Sequence, residues 1–226
     1  MQDDSADALV AEMQLYYGRR AAWYDSSMGY DDPVVVGRLE PVAQALCDEM
    51  RGRSVLEVAC GPGFWTKLVA HTARGIVASD FNESVLALAR QKAIDSSRVT
   101  FVRADAYDLS SIAGTFDGVF AVDFLAHVPT SRIPGFLGGL HRRLRPGARI
   151  AFCDQTPWPA SITELRDAEG NHLQERTLDD GSRYRVIKHF FSDAELQVTF
   201  APYCGRVDIR RFVEQRRIVV SYSLSE

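Results

Sequence analysis

The sequence predicts an α/β fold: a doubly wound, mostly parallel sheet with helices on both faces. After residue 53, short apolar runs alternate with helical patterns, as they do in parallel sheets with crossover helices. The first run, Val55–Val58, leads into a tight turn at Gly61 and Gly63 and then into a helical pattern from Phe64. The chain of 226 residues, 46% of them hydrophobic, can bury the core of one such domain.

Acidic residues follow three of the predicted strands. The second, third and fourth apolar runs are followed by Asp80, Asp105 and Asp123, respectively. Ligands bind at the carboxyl ends of the strands in an open α/β sheet, and an acid on the second strand suits ribose hydroxyls. One such acid alone would indicate only a helix cap or a turn. Three together indicate a binding site.

The other elements follow from local patterns. Helices are predicted at 64–72, 82–94 and 131–145, with Asn82 as the cap of the second. After the strand Ile150–Asp154, two alternating runs surround an Asp-Gly turn at 180–181 and predict a β-hairpin. Residues 193–200 predict a helix, and 207–213 with 218–222 predict a closing antiparallel pair.

Five segments together resemble the motifs of one family. They are Glu57–Gly63, Ser79–Asn82, Arg103–Ala106, Phe116–Asp123 and Leu144–Ile150. Over residues 50–155 they resemble the class I, Rossmann-like methyltransferases of the small-molecule type, which depend on S-adenosylmethionine (SAM). The resemblance implies a seven-stranded sheet with an antiparallel carboxyl-terminal strand. It also implies SAM as cofactor and S-adenosylhomocysteine (SAH) as product.

The resemblance implies a role for each motif residue. Glu57 would orient the methionyl end of the cofactor, Asp80 would hold the ribose, and Phe81 would lie against the adenine. Asp105, with the amide of Ala106, would read the adenine edge. The implied cofactor-binding residues of the motifs are Glu57, Ala59, Gly61, Gly63, Asp80, Phe81, Asp105, Ala106 and Asp123.

The chain departs from the family pattern at Ala59, where the family has its first glycine. One added methyl group should leave the pocket intact. A nicotinamide-dependent oxidoreductase is an alternative, but its G-x-G-x-x-G spacing is absent and the adenine acid at Asp105 is present. A catalytically silent methyltransferase-like binding protein is a second alternative.

Residues 1–50 are predicted to form a helical cap on a domain that spans 51–226. Tyr16, Arg20 and Trp23 or Tyr24 share one side of a helix there. Similar small-molecule methyltransferases carry a comparable helix over the site, so Tyr16, Arg20 and Tyr24 are expected to bind the cofactor. Trp23 is expected to pack in the core. The hairpin, an insertion near 155–190, would form a wall of the acceptor pocket, with a structural arm or a dimer contact as the alternative.

His127 follows the fourth strand, where a general base could reach an acceptor hydroxyl. A structural role near the top of the sheet is the favoured alternative for it. Trp158 and the pair Phe190 and Phe191 favour a small, partly apolar or heteroaromatic acceptor, which is expected to be methylated on oxygen or nitrogen. The family resemblance alone implies a place in natural-product biosynthesis. No spare acidic cluster remains for a metal, so none is expected.

Composition excludes several other classes. The net charge is −4, and the arginines at 210–211 and 216–217 are expected on exposed sheet edges, which disfavours nucleic-acid substrates. No run of about 18 apolar residues predicts a membrane span. The acidic first seven residues do not resemble a signal peptide, which predicts a cytoplasmic protein, monomeric or homodimeric.

Overall fold

The computed structural model describes residues 5–225 and confirms the predicted α/β fold. Residues 1–4, part of the predicted cap and of the acidic first stretch, and residue 226 lie outside the described residues. The strands are β1 Ser54–Val58, β2 Gly75–Asp80, β3 Val99–Arg103, β4 Phe116–Val122, β5 Leu144–Gln155, β6 Leu173–Thr177, β7 Arg183–Ile187, β8 Asp208–Phe212 and β9 Arg217–Ser223.

Seven of these strands form one sheet in the order β3-β2-β1-β4-β5-β9-β8. Strands β1 to β5 pair in parallel, and β9 runs antiparallel to both β5 and β8. This confirms the predicted seven-stranded sheet with an antiparallel carboxyl-terminal strand. The predicted hairpin is also confirmed, because β6 and β7 pair with each other outside the sheet.

The helices are α1 Ala6–Arg20, α2 Tyr24–Met28, α3 Pro33–Arg38, α4 Glu40–Met50, α5 Phe64–Val69, α6 Glu83–Ala89, α7 Ile133–His141 and α8 Asp193–Phe200. Helices α5, α6 and α7 are shorter than predicted. Asn82 occupies the N-cap position of α6, as predicted, but its side chain makes no capping bond and instead donates to the Gln14 carbonyl in α1 at 3.0 Å. A tertiary contact therefore replaces the local one.

Apolar clusters cover both faces of the sheet. Phe136 of α7 and Phe200 of α8 pack on one face, and Leu46 of α4 and Trp65 of α5 pack on the other. A third cluster joins α1 to the hairpin. The predicted cap helix therefore packs on the inserted hairpin. No helix in the range 5–225 combines the length and apolarity that a bilayer crossing requires.

The sheet topology selects one place for a ligand. Strand β1 lies between β2 and β4, so the strand order reverses at its two sides, and the crevice at the carboxyl ends there is the usual binding place in such sheets. Val58 at the end of β1 pairs in register with Ser79, next to Asp80, at the end of β2. The acids predicted from the sequence thus emerge at the same edge.

Candidate active site

The turn after β1 is built from residues with positive φ angles. Gly61 has φ 56°, and its amide donates to the Asp80 carboxylate at 3.0 Å. Gly63 has φ 81°, and a Cβ there would lie 3.2 Å from that of Ala89, so this glycine allows α5 and α6 to approach. Ala59 has φ 54°, a conformation that costs a residue with a Cβ about 1–2 kcal/mol. The missing family glycine therefore leaves strain at the site.

An inner cavity opens beside this turn. Helix α1, the turn and the ends of β2, β3 and β4 line it. It brings together nine of the predicted site residues: Tyr24, Ala59, Gly61, Asp80, Phe81, Asp105, Ala106, Asp123 and His127.

Two carboxylates and two aromatic rings line the inner cavity. The Asp80 carboxylate faces it while accepting from the amides of Gly61 and Asn82. Asp105 lies at the next strand end, fixed by a bond from the Tyr107 amide at 2.9 Å. The rings of Phe81 and Phe124 supply apolar walls. Two acids from neighbouring strand ends and flat apolar surfaces are thus present in one cavity.

An outer cavity adjoins the inner one. Four side chains line both: Tyr17, Tyr24, Asp123 and His127. We call these four residues the junction. The hairpin contributes Arg176 to the outer cavity, and Lys188 lines it just beyond the end of β7. The hairpin is therefore both the support of α1 and a wall of this cavity.

Hydrogen bonds fix both ring nitrogens of His127. Nδ1 lies 2.5 Å from the Ile187 carbonyl, which can only accept, so Nδ1 carries the proton. Nε2 then accepts from the Tyr17 hydroxyl at 3.1 Å. Burial, together with nearby Lys188, lowers the pKa of His127 to about 3, and burial raises the pKa of Tyr17. The pair is a neutral imidazole that accepts from a protonated phenol.

Asp123 forms a buried ion pair with Arg217. The carboxylate lies 2.5 Å from the guanidinium, and both side chains are at most 6% exposed. Although burial opposes ionisation, Arg217 and Lys188 hold the pKa of Asp123 below its usual value. The second carboxylate oxygen, Oδ2, is buried with no hydrogen-bond partner among residues 5–225.

The prediction that Arg217 lies on an exposed edge is therefore wrong, since it is 4% exposed. Its partner lies 94 residues away in the chain, and no local pattern indicates that pairing. Tyr17 is the other functional candidate that sequence reasoning missed. Tyr17 lies one helical turn after Met13 and Gln14 on α1, and both of those residues also line the inner cavity. This helical spacing is the signal that could have indicated Tyr17.

Four of the predicted site residues do not line the inner cavity, and Trp23 does not lie in the core. Tyr16 and Arg20 line the outer cavity, where the guanidinium bonds Ser27 at 2.5 Å. Glu57 lines neither cavity, and its burial raises the pKa of its carboxyl to about 8. Gly63 also lines neither cavity. Trp23, expected in the core, is 55% exposed because the helix breaks into a 3₁₀ turn at 21–23. Within residues 5–225, no three His, Cys, Asp or Glu side chains are grouped to hold a metal.

Comparisons with known proteins agree with this geometry. A family model described as a methyltransferase domain matches residues 55–147. The O-methyltransferase resE of Aspergillus sclerotiorum is 24% identical over 99% of this chain and 85% of its own length. A demethylmenaquinone methyltransferase of Clavibacter sepedonicus is 34% identical, but the match covers 49% of this chain and 44% of that protein.

Solved structures of one protein, DhpI, match nearly the whole chain. The DhpI complex with SAH has a TM-score of 0.77 at 27% identity and covers 96% of this chain and 97% of DhpI. A second DhpI structure, described as a complex with SAM and HEP, has a TM-score of 0.77 at 28% identity and covers 94% of this chain and 96% of DhpI. The likeness therefore includes the cap helix and the hairpin as well as the sheet.

Proposed function

Because the chain belongs to the class I SAM-dependent methyltransferases, we propose that it methylates an oxygen or nitrogen atom of a small molecule held in the outer cavity. SAM is the methyl donor and SAH the product. The observation that carries the proposal is the junction, where Tyr17, Tyr24, Asp123 and His127 line both cavities. A molecule bound in the inner cavity would therefore lie next to a molecule bound in the outer cavity at these four side chains.

The inner cavity is assigned to the cofactor. Asp80 would accept the ribose hydroxyls, and Asp105 with the amide of Ala106 would bind the adenine edge, beside the ring of Phe81. Ala59 and Gly61 line the cavity and present backbone to the same ligand. Glu57 and Gly63 do not line the cavity and would act on it indirectly. Gly63 permits the packing of two helices, and Glu57 is buried within β1.

Arg20 is assigned to the carboxylate at the methionyl end of the cofactor. Its guanidinium lies 5.8 Å from the ring centre of Tyr16 and 5.1 Å from that of Tyr24, so both rings hold it at the edge of the junction. A planar guanidinium binds a carboxylate through two parallel hydrogen bonds. Tyr16 would therefore act through Arg20, whereas Tyr24, which lines both cavities, would also touch the ligand.

When bound, the cofactor supplies an electrophilic methyl group on a positively charged sulfur. The junction residues then have to align the acceptor and exclude water. The rings of Tyr17 and Tyr24 suit a neighbouring cation. The general-base role of His127 stays a prediction, and its two hydrogen bonds and low pKa argue against it. We assign His127 as a positioning residue for Tyr17.

The test combines binding and turnover. SAH should raise the melting temperature of the protein and NADH should not, since only the former matches the inner cavity. Purified protein should then transfer a labelled methyl group from SAM to members of a panel of phenols, amines and heterocycles. Stabilisation by NADH alone would favour the oxidoreductase alternative. Binding of SAH without transfer to any acceptor would favour a silent binding protein.

The Asp80→Asn variant assigns the cofactor site within that test. We expect its Kd for SAH, measured by calorimetry, to rise about 10-fold or more, because a neutral amide accepts the ribose hydroxyls less strongly than a carboxylate. Asp31→Asn, at an exposed position outside both cavities, is the matched control and should bind SAH normally. Equal affinities in the two variants would contradict the assignment of Asp80.

A further inference from the structure

The outer cavity is strongly cationic. Five side chains that line it carry a positive charge: Arg20, Arg176, Lys188, Arg216 and Arg217. Asp123 is the single acid among its lining residues, and His127 is neutral. A cavity with this balance attracts anions and disfavours cations.

Most of the charges in this cavity have an internal partner. Arg217 pairs with Asp123, and Arg20 bonds Ser27 and lies against two tyrosine rings. Arg176 donates to Gln174 in its own strand. The ion pair neutralises Arg217, whereas Arg20 and Arg176 each use one guanidinium nitrogen in these bonds and keep other donors for a ligand.

Lys188 is different, because it is buried and unpartnered. The residue is 3% exposed, yet its ammonium makes no hydrogen bond or ion pair with any described residue. The Phe190 ring centre lies 5.8 Å from Nζ. Burial lowers the pKa of Lys188, and the charges of Asp123 and Asp154 oppose that shift without forming an ion pair with the ammonium. A buried charge without a partner is costly, and proteins retain one where it serves a ligand.

Lys188 and Arg176 lie on the hairpin side of the cavity, whereas Arg20 lies on α1. The cofactor has one carboxylate, which Arg20 can bind. The hairpin cations therefore remain for a second molecule. Lys188 lies next to the junction, since its charge lowers the pKa of both Asp123 and His127.

We propose that the methyl acceptor carries an oxyanion, a carboxylate or a phosphate-type group, and that Lys188 with Arg176 binds it. This rests on the proposed function, and it names the class of acceptor for that site. An ammonium gives a point charge with three donors, and a guanidinium adds a planar pair, so together they suit the oxygens of either anion. Trp158, which also lines the cavity, leaves room for an apolar body on the same molecule.

Anion binding can be measured before the acceptor is identified. The protein is saturated with SAH, so that the site for the cofactor carboxylate is filled, and its melting temperature is recorded with benzoate, phenyl phosphate or the neutral analogue benzamide. We expect one anion or both to raise the melting temperature by about 2 °C or more and benzamide to leave it unchanged. The two anions distinguish a carboxylate from a phosphate-type group.

The variant Lys188→Met keeps the length of the side chain and removes the charge. It should keep its Kd for SAH and lose the stabilisation by the anion. Lys67→Met, at an exposed position on α5 outside both cavities, is the matched control and should behave as the parent. Lys188→Met breaks no hydrogen bond or ion pair with a described residue, although it removes a charge that acts on Asp123 and Asp154, so the SAH titration verifies folding in each variant.

The outcomes separate the two proposals. If SAH stabilises the protein but neither anion does, if benzamide acts as well as benzoate, or if Lys188→Met keeps the anion effect, the oxyanion proposal is overturned and the methyltransferase assignment stands. If SAH fails to stabilise the parent protein, the proposed function fails, and this inference fails with it.

Discussion

Replacing Asp123 by asparagine should destabilise the protein strongly, because it leaves the Arg217 guanidinium buried without its counter-charge. Asparagine is the informative replacement, since residue 123 has φ 53° and asparagine tolerates this left-handed conformation as aspartate does. The backbone and the side-chain volume are then preserved. The only remaining described bond of the Arg217 side chain is its long contact of 3.4 Å to the Tyr30 hydroxyl.

The magnitude follows from the burial of the pair. Both side chains are at most 6% exposed, and breaking such a pair by removing one partner costs about 3–5 kcal/mol. For a chain of this length that corresponds to a fall in melting temperature of about 6–20 °C. Asp123→Ala should lose about a further 1 kcal/mol, because alanine pays for the left-handed φ angle without a compensating bond.

Urea unfolding, followed by circular dichroism, measures this loss. Asp48→Asn breaks an exposed ion pair with Arg51 and should leave the midpoint unchanged. The double variant Asp123→Asn with Arg217→Met removes both charges and should recover much of the loss. The reasoning is refuted if Asp123→Asn is as stable as the parent, or if the double variant is no more stable than the single one.

Three further predictions concern Ala59 and His127. Ala59→Gly should raise the free energy of unfolding by about 0.5–1 kcal/mol, because relief of the left-handed strain exceeds the added entropy of the unfolded chain. A urea midpoint below that of the parent protein would contradict this. Because the pKa of His127 is lowered to about 3, the rate of methyl transfer should show no inflection near pH 6.5. An inflection that is present in the parent protein and absent in His127→Gln would instead support His127 as the general base. Below about pH 6.5, His127 binds a proton in the unfolded chain but not in the native protein. This group should therefore lower the free energy of unfolding as the pH falls from 6.5 toward 3. Urea midpoints at several pH values measure this loss.

The lining of the inner cavity was largely predictable, because its signals are local. A glycine turn after β1 and acids at the ends of β2 and β3 can be read from short stretches, and parallel strands in register place such ends at one edge. Asp80 and Asp105 therefore line one cavity, as the sequence suggested. The α1 cluster was predicted only as a helix face. The packing of α1 on the hairpin brings Tyr17, and not Tyr16, to the inner cavity.

By itself, the sequence determined the α/β order, the hairpin, the glycine turn and the acids at the strand ends, because periodicity and turn chemistry act over a few residues. Only the tertiary structure decided the burial of Arg217 against Asp123, the tie between Tyr17 and His127, and the cationic wall at Lys188. Each of these joins residues more than 60 positions apart or depends on which side of a packed element faces a cavity. Such contacts form only when the sheet, the hairpin and α1 are packed together.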